Sequence, residues 1–234
     1  MNIQNKTLER IARHLIIYSA SMEDIGLMNG KMGIALFFYH LHKVTGNDNH
    51  LAFANEMIQD ISSRLDYKIP RTFFDGLVGI SWGFDHLIKN NFIDFEEDDM
   101  LIELDNALLE INIANLFDES FSTGVRGIAY YLVSRCSGNS SIPAPFSLEY
   151  IADLYDRMHR IESKDPTAIS LQNQLQQIQK GVIIEYDLNP FYQLIGNEPY
   201  DDSNLFVINR NRGIINNGYT GIALRMLQNR EPES

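Results

Sequence analysis

At 234 residues, 44% hydrophobic and 21% charged, the chain has the make-up of a soluble globular protein with one large core or two small ones. Its 19 Lys and Arg against 31 Asp and Glu leave a net charge of −12, which argues against nucleic acid and against anionic membrane surfaces, both of which call for clustered basic side chains. One cysteine, Cys136, excludes an internal disulfide and a multi-thiolate metal site, and suits a reducing cytoplasm.

The chain opens with Leu8, Ile11, Ala12, Leu15 and Ile16 at helical spacing, interrupted by Glu9, Arg10, Arg13 and His14. This predicts an amphipathic helix over 8–19 rather than a secretion signal. No stretch approaches the roughly 18 apolar residues of a membrane span. Similar stripes with a charged face occupy 51–65 and 100–116, and these three segments read as outer, half-exposed helices.

Between them stands a repeated turn. Asn29-Gly30-Lys31-Met32-Gly33-Ile34-Ala35 is followed by Asp75-Gly76-Leu77-Val78-Gly79-Ile80-Ser81. Thr123-Gly124-Val125-Arg126-Gly127-Ile128-Ala129 and Asn217-Gly218-Tyr219-Thr220-Gly221-Ile222-Ala223 complete the set. From Gly30 to Gly76 is 76 − 30 = 46 residues, from Gly76 to Gly124 is 124 − 76 = 48, and from Gly124 to Gly218 is 218 − 124 = 94. The last interval is a double period, so one unit has lost or replaced its motif. Asn29, Asp75, Thr123 and Asn217 are expected to cap the free N–H groups of the following helix. The first glycine permits a tight entry, and the second leaves room for a neighbouring backbone. The residues beyond, such as Leu36-Phe37-Phe38-Tyr39 and Tyr130-Tyr131-Leu132-Val133, are apolar nearly all round and predict buried inner helices. The fold is therefore all-α, from helix pairs of about 47 residues that stack into a solenoid or a closed ring.

The second half is less regular. Residues 137–147 form a Ser/Pro/Gly loop, 148–161 and 167–180 read as helices, and 182–187 and 205–208 as short extended pieces. A polar loop follows at 196–204, and no linker divides residues 1–234 into separate domains.

At the turns the chain resembles a known family. The stretch Gly26-Leu27-Met28-Asn29-Gly30-Lys31-Met32-Gly33-Ile34-Ala35-Leu36-Phe37-Phe38-Tyr39-His40, with Thr45-Gly46-Asn47 after it, is similar to the lanthionine synthetase C-like proteins, the cyclase family of lanthipeptide maturation, in a bacterial branch. So is Asp75-Gly76-Leu77-Val78-Gly79-Ile80-Ser81-Trp82-Gly83. The resemblance implies an α/α toroid, here a partial or small ring because the family's enzymes carry more repeats. It also implies a zinc held by two Cys and one His in Trp-Cys-x-Gly and Cys-His-Gly motifs, which activates a peptide thiolate. Here Trp82 is followed by Gly83, and Cys136 by Ser137-Gly138. The expectation is accordingly no metal and no cofactor.

His40 and His86 each lie ten residues after the first glycine of their motifs, as a paired metal or base site or as core histidines. His42 points elsewhere on its helix, and His14, His50 and His159 lack metal-ligand spacing. Asp75 reads as a cap rather than a catalytic carboxylate, and Asp85 beside His86 as an acid/base pair only if a second carboxylate faces it. The acidic run 96–99 opens a helix, where negative charge suits the dipole. If all four inner helices open onto one mouth, their N-termini with Lys31 and Arg126 make it positive, and Trp82 and Tyr219 wall it. The function expected is binding of a precursor peptide or a peptide-modifying enzyme in the cytoplasm. The alternative is another α/α-toroid enzyme, such as a glycoside hydrolase or a prenyl-processing enzyme.

Overall fold

A computed structural model describes residues 3–66, 68–93, 98–138, 146–160, 164–196, 212–215 and 218–228. Among them every regular element is helical. The order is α1 (Ile3–Ser19), α2 (Lys31–Thr45), α3 (Asp48–Ser63), α4 (Leu77–Lys89), α5 (Asp98–Leu109), a 3₁₀ turn (Ile113–Asn115), α6 (Val125–Cys136), α7 (Leu148–His159), α8 (Pro166–Gln179), α9 (Asn189–Ile195) and α10 (Tyr219–Gln228).

These elements form two compact units. One comprises Met1–Leu65 with Phe191–Ser234, the other Asp66–Pro190. In the first, α2 packs on α3 and α10, and α1 lies on α10 and α2. In the second, α4 packs on α5 and α6, and α6 on α7 and α8.

The inner helices are as buried as their sequences demand. Lys31 to Leu41 of α2 and Leu77 to Leu87 of α4 are buried without a break. The outer helices bury one stripe each: Ala54, Met57 and Ile61 in α3, and Ile151, Leu154 and Met158 in α7. Each fully buried Leu, Ile or Phe side chain contributes on the order of 1.5–3 kcal/mol of gross transfer energy. The helix expected over 100–116 stops at Leu109, and after a turn at Leu108–Ile111 the chain resumes as the 3₁₀ turn.

The repeated turns hold the main correction. The residue before the first helical position is the glycine, Gly30, Gly76 or Gly124, and not the Asn, Asp or Thr ahead of it. Its φ of −113°, −128° or −113° is open to any residue. The helix's first N–H groups donate instead to carbonyls of the loop that leads in. Lys31 N–H meets Asp24 O at 3.0 Å, Leu77 N–H meets Pro70 O at 2.9 Å, and Val125 N–H meets Asp118 O at 2.9 Å, each seven residues back. Met32 and Gly79 do the same with Ile25 and Thr72, and Thr220 and Gly221 with Arg212 and Gly213.

A loop pressed this close leaves no room for a Cβ. One added at Gly76 would stand 2.0 Å from Pro70 O, at Gly124 2.3 Å from Asp118 O, and at Gly127 2.4 Å from Phe121 O. At Gly33 and Gly221 the distances are 2.3 Å to Leu27 O and 1.8 Å to Ile214 O. The close approach predicted for the second glycine is therefore mainly to the chain's own entry loop.

The unit without a motif is α7 and α8. Helix α8 packs beside α6, yet it opens with an Asp-Pro cap: the Asp165 carboxylate accepts from Thr167 N–H at 2.9 Å, with Pro166 in the first turn. It buries only the stripe Ala168, Leu171 and Leu175. Residues 182–187 carry no strand pairing. Asn217, the Glu96-Glu97 pair and the segment 205–208 lie outside the described residues, as does most of the loops at 137–147 and 196–204.

Candidate functional site

The richest polar chemistry lies in the second unit, at the C-terminal ends of α4 and α6. The two helices run parallel, since Trp82 stands against Tyr130 and, further along both, Asp85 against Ser134. Asp85, 1% exposed, accepts from Lys89 Nζ at 2.9 Å and from Ser134 Oγ at 3.0 Å. Lys89 sits one turn after Asp85 on the same helix face, and its ammonium also donates to the Ser134 carbonyl. A cation at that place satisfies carbonyls at a helix end and the negative end of the dipole.

A second pair lies beside the first. Arg135 Nε donates to Asp105 of α5 at 3.0 Å, both residues wholly buried, and the Tyr131 hydroxyl donates to the same carboxylate. Burial pushes the Asp105 carboxyl above its ordinary range, against the pull of Arg135 and Tyr131. Burial likewise pulls the Lys89 ammonium down, with Asp85 opposing it. Two carboxylates against one ammonium and one guanidinium make the cluster neutral overall. That balance is what a buried charge group requires.

Cys136 follows directly, its thiol pushed up to about 11 by burial. A thiol in that state is a poor nucleophile at neutral pH. Among the described residues no three His, Cys, Asp or Glu side chains stand where they could share a metal ion. These residues do not fit the two-cysteine, one-histidine zinc set of the cyclases.

His86 and Trp82 face the same region. Their rings stack at 5.3 Å, and His86 Nδ1 lies 2.8 Å from the Tyr186 hydroxyl. Tyr186 also covers Lys89, whose Nζ is 5.0 Å from the ring centre. Asp85 thus engages Lys89 and Ser134 while its neighbour His86 engages Tyr186. Arg126 lies at the other end of α6, where it pairs with the Asp165 cap at 2.9 Å.

The remaining sequence candidates are in the first unit. Lys31 is buried and holds Asp60 of α3 at 2.6 Å, which keeps that carboxyl below its usual range, with Arg64 sharing the load. His40 is buried in α2. The Tyr219 and His14 rings meet at 4.4 Å, tilted by 59°, and His14 meets Tyr18 at 4.4 Å, tilted by 49°. The expected positive mouth rested on free helix donors, but the donors named above are taken by entry-loop carbonyls. Lys31 and Arg126 are engaged in ion pairs.

Sequence reasoning passed over Lys89, Asp105, Ser134, Arg135 and Tyr186. Three of them did carry a signal. Lys89 is four residues from Asp85, and Ser134 and Arg135 end the apolar run of α6. Nothing local connects Asp105 or Tyr186 to these helices.

The lanthionine synthetase C-like protein model matches residues 21–177, which is 177 − 21 + 1 = 157 of 234 residues. The chain belongs to the lanthionine synthetase C-like family. No curated protein matches it. Three of the four glycine turns, the whole buried charge cluster and Cys136 fall inside the matched stretch. No helix among the described residues is long and apolar enough to cross a membrane.

Proposed function

We propose that this lanthionine synthetase C-like chain acts in peptide maturation by binding a precursor peptide or a partner enzyme, in the cytoplasm and without zinc-dependent cyclisation. The family match carries the first half of this reading. The single cysteine supports the second: Cys136, half-buried beside Arg135 and Lys89, cannot by itself supply the two thiolates of the cyclases' zinc set. The match runs through residues of both compact units, which supports reading 1–234 as one family domain with the toroidal architecture of its relatives.

His86 is the sequence candidate with the strongest geometric case for contacting a peptide, because it meets Tyr186, a residue outside the helices, with Trp82 stacked on its ring. Lys31 and Arg126 serve the fold instead. The test is calorimetry of the purified full chain with synthetic precursor peptides encoded beside its gene, together with elemental analysis. Saturable binding without stoichiometric zinc is expected. Zinc-dependent ring formation on a dehydrated precursor would overturn the reading.

A further inference from the structure

After α8 the chain reverses at Gly181, whose φ of +72° is a left-handed conformation, and then runs extended across the C-terminal ends of α4 and α6 before α9 begins. Within this strap, residues 182–188, the side chains of 183–186 alternate outward and inward, the register of a peptide laid in a groove. Side chains alternate in an extended segment. Ile184 is 5% exposed and Tyr186 half-buried, whereas Ile183 is 82% exposed and Glu185 points to solvent.

The groove recognises the strap in two ways. It reads the main chain: Gly138 N–H donates to Ile184 O at 2.9 Å, and the Tyr130 hydroxyl donates to Asp187 O at 3.2 Å. It reads one side chain: the Tyr186 phenol meets His86 Nδ1 and lies over Lys89. Main-chain bonds that any peptide can supply, with a pocket for every second side chain, are the working parts of extended-peptide recognition. The start of the strap adds little to its hold, since Val182 and Ile183 are both exposed.

We propose that this groove is a site for an extended peptide, held closed by the chain's own strap. Its exchange partner is a peptide with an aliphatic residue two positions before an aromatic one. The inference deepens the peptide-binding reading above and rests on it for the identity of the natural partner, though not for the existence of the groove.

The experiment uses the full chain and a fluorescein-labelled synthetic peptide spanning residues 181–189, followed by anisotropy. In the chain carrying Ile184→Ser and Tyr186→Ser the strap no longer competes. The labelled peptide is expected to bind that variant about tenfold or more tighter than it binds the parent, because an occupied groove lowers apparent affinity by its vacant fraction. The peptide with Tyr186→Ala should lose this gain. If the double variant loses its helical circular dichroism, Tyr186→Phe, which removes only the phenol bond to His86, takes its place with a smaller gain in the same direction. Equal binding to the parent and to a folded variant, or none to either, overturns the proposal. Precursor peptides are titrated in parallel. Strap-peptide exchange without precursor binding counts against the maturation role alone, and precursor binding without exchange counts against the strap alone.

Discussion

The two ends of the α4/α6 pair are built by opposite means. At the N-terminal end there are backbone amides, loop carbonyls and glycines, and the closest approaches are those of Gly76, Gly124 and Gly127 to the entry loops. At the C-terminal end Asp85, Lys89, Asp105 and Arg135 meet in the protein interior, with Tyr186 laid over Lys89. The first end is specified by shape, and its anion-binding capacity is spent on the chain's own carbonyls. The second is specified by charge, and its hydrogen bonds extend to a segment that is not helical.

The sharpest way to break this contrast is to remove one charge. Arg135→Met leaves Asp105 buried without its guanidinium and should cost about 3–5 kcal/mol by denaturant unfolding. Arg135→Met with Asp105→Leu should recover most of that loss, since an apolar pair of similar volume can replace a buried ion pair. A single variant as stable as the parent would show that the cluster is wetter than described.

At the other end the corresponding change adds atoms. Gly127→Leu drives a side chain into Phe121 O and the Phe73 ring and should destabilise by about 2–4 kcal/mol. Gly33→Leu should do the same against Leu27 O and Ile214 in the first unit. If either variant melts with the parent, the entry loop is not pressed against that glycine.

Helix α8 offers a control, because it begins without glycines. Asp165→Ala removes an ordinary side-chain cap and a partly exposed partner of Arg126, and about 1 kcal/mol is expected from the thermal midpoint. A loss as large as that at Gly127 would erase the distinction between the two kinds of entry.

The mildest probe leaves the chain unmutated. With its thiol near 11, Cys136 should react with iodoacetamide at pH 8 about a hundredfold more slowly than a free cysteine, since the thiolate is the reactive form and its population falls by that order. Rapid alkylation of the native protein would place Cys136 in a wetter setting than the cluster implies.

The helices and the repeat were legible because they depend on neighbours in sequence. The buried run 77–87 and the stripe Ile151, Leu154, Met158 follow from residue order alone. The role of the turns was only half legible. Glycine at positions 30, 76 and 124 announced a close contact, but the partner, the Gly26 backbone at Gly30 and a carbonyl six residues back at Gly76 and Gly124, depends on how the loop curls. Asn29, Asp75 and Thr123 suggested caps by residue type, whereas the loop backbone took the capping role.

The sequence by itself determined an all-helical chain with a 47-residue period, buried inner helices and a family. These follow from hydrophobic periodicity and from glycines that no other residue can replace. Only the tertiary structure decided that Asp105 would meet Arg135, 30 residues away, and that Tyr186 would cross back to His86, 100 residues away. Charge pairing in the interior is settled by which side chains the packing brings within about 3 Å. A sequence lists the partners but does not contain that distance.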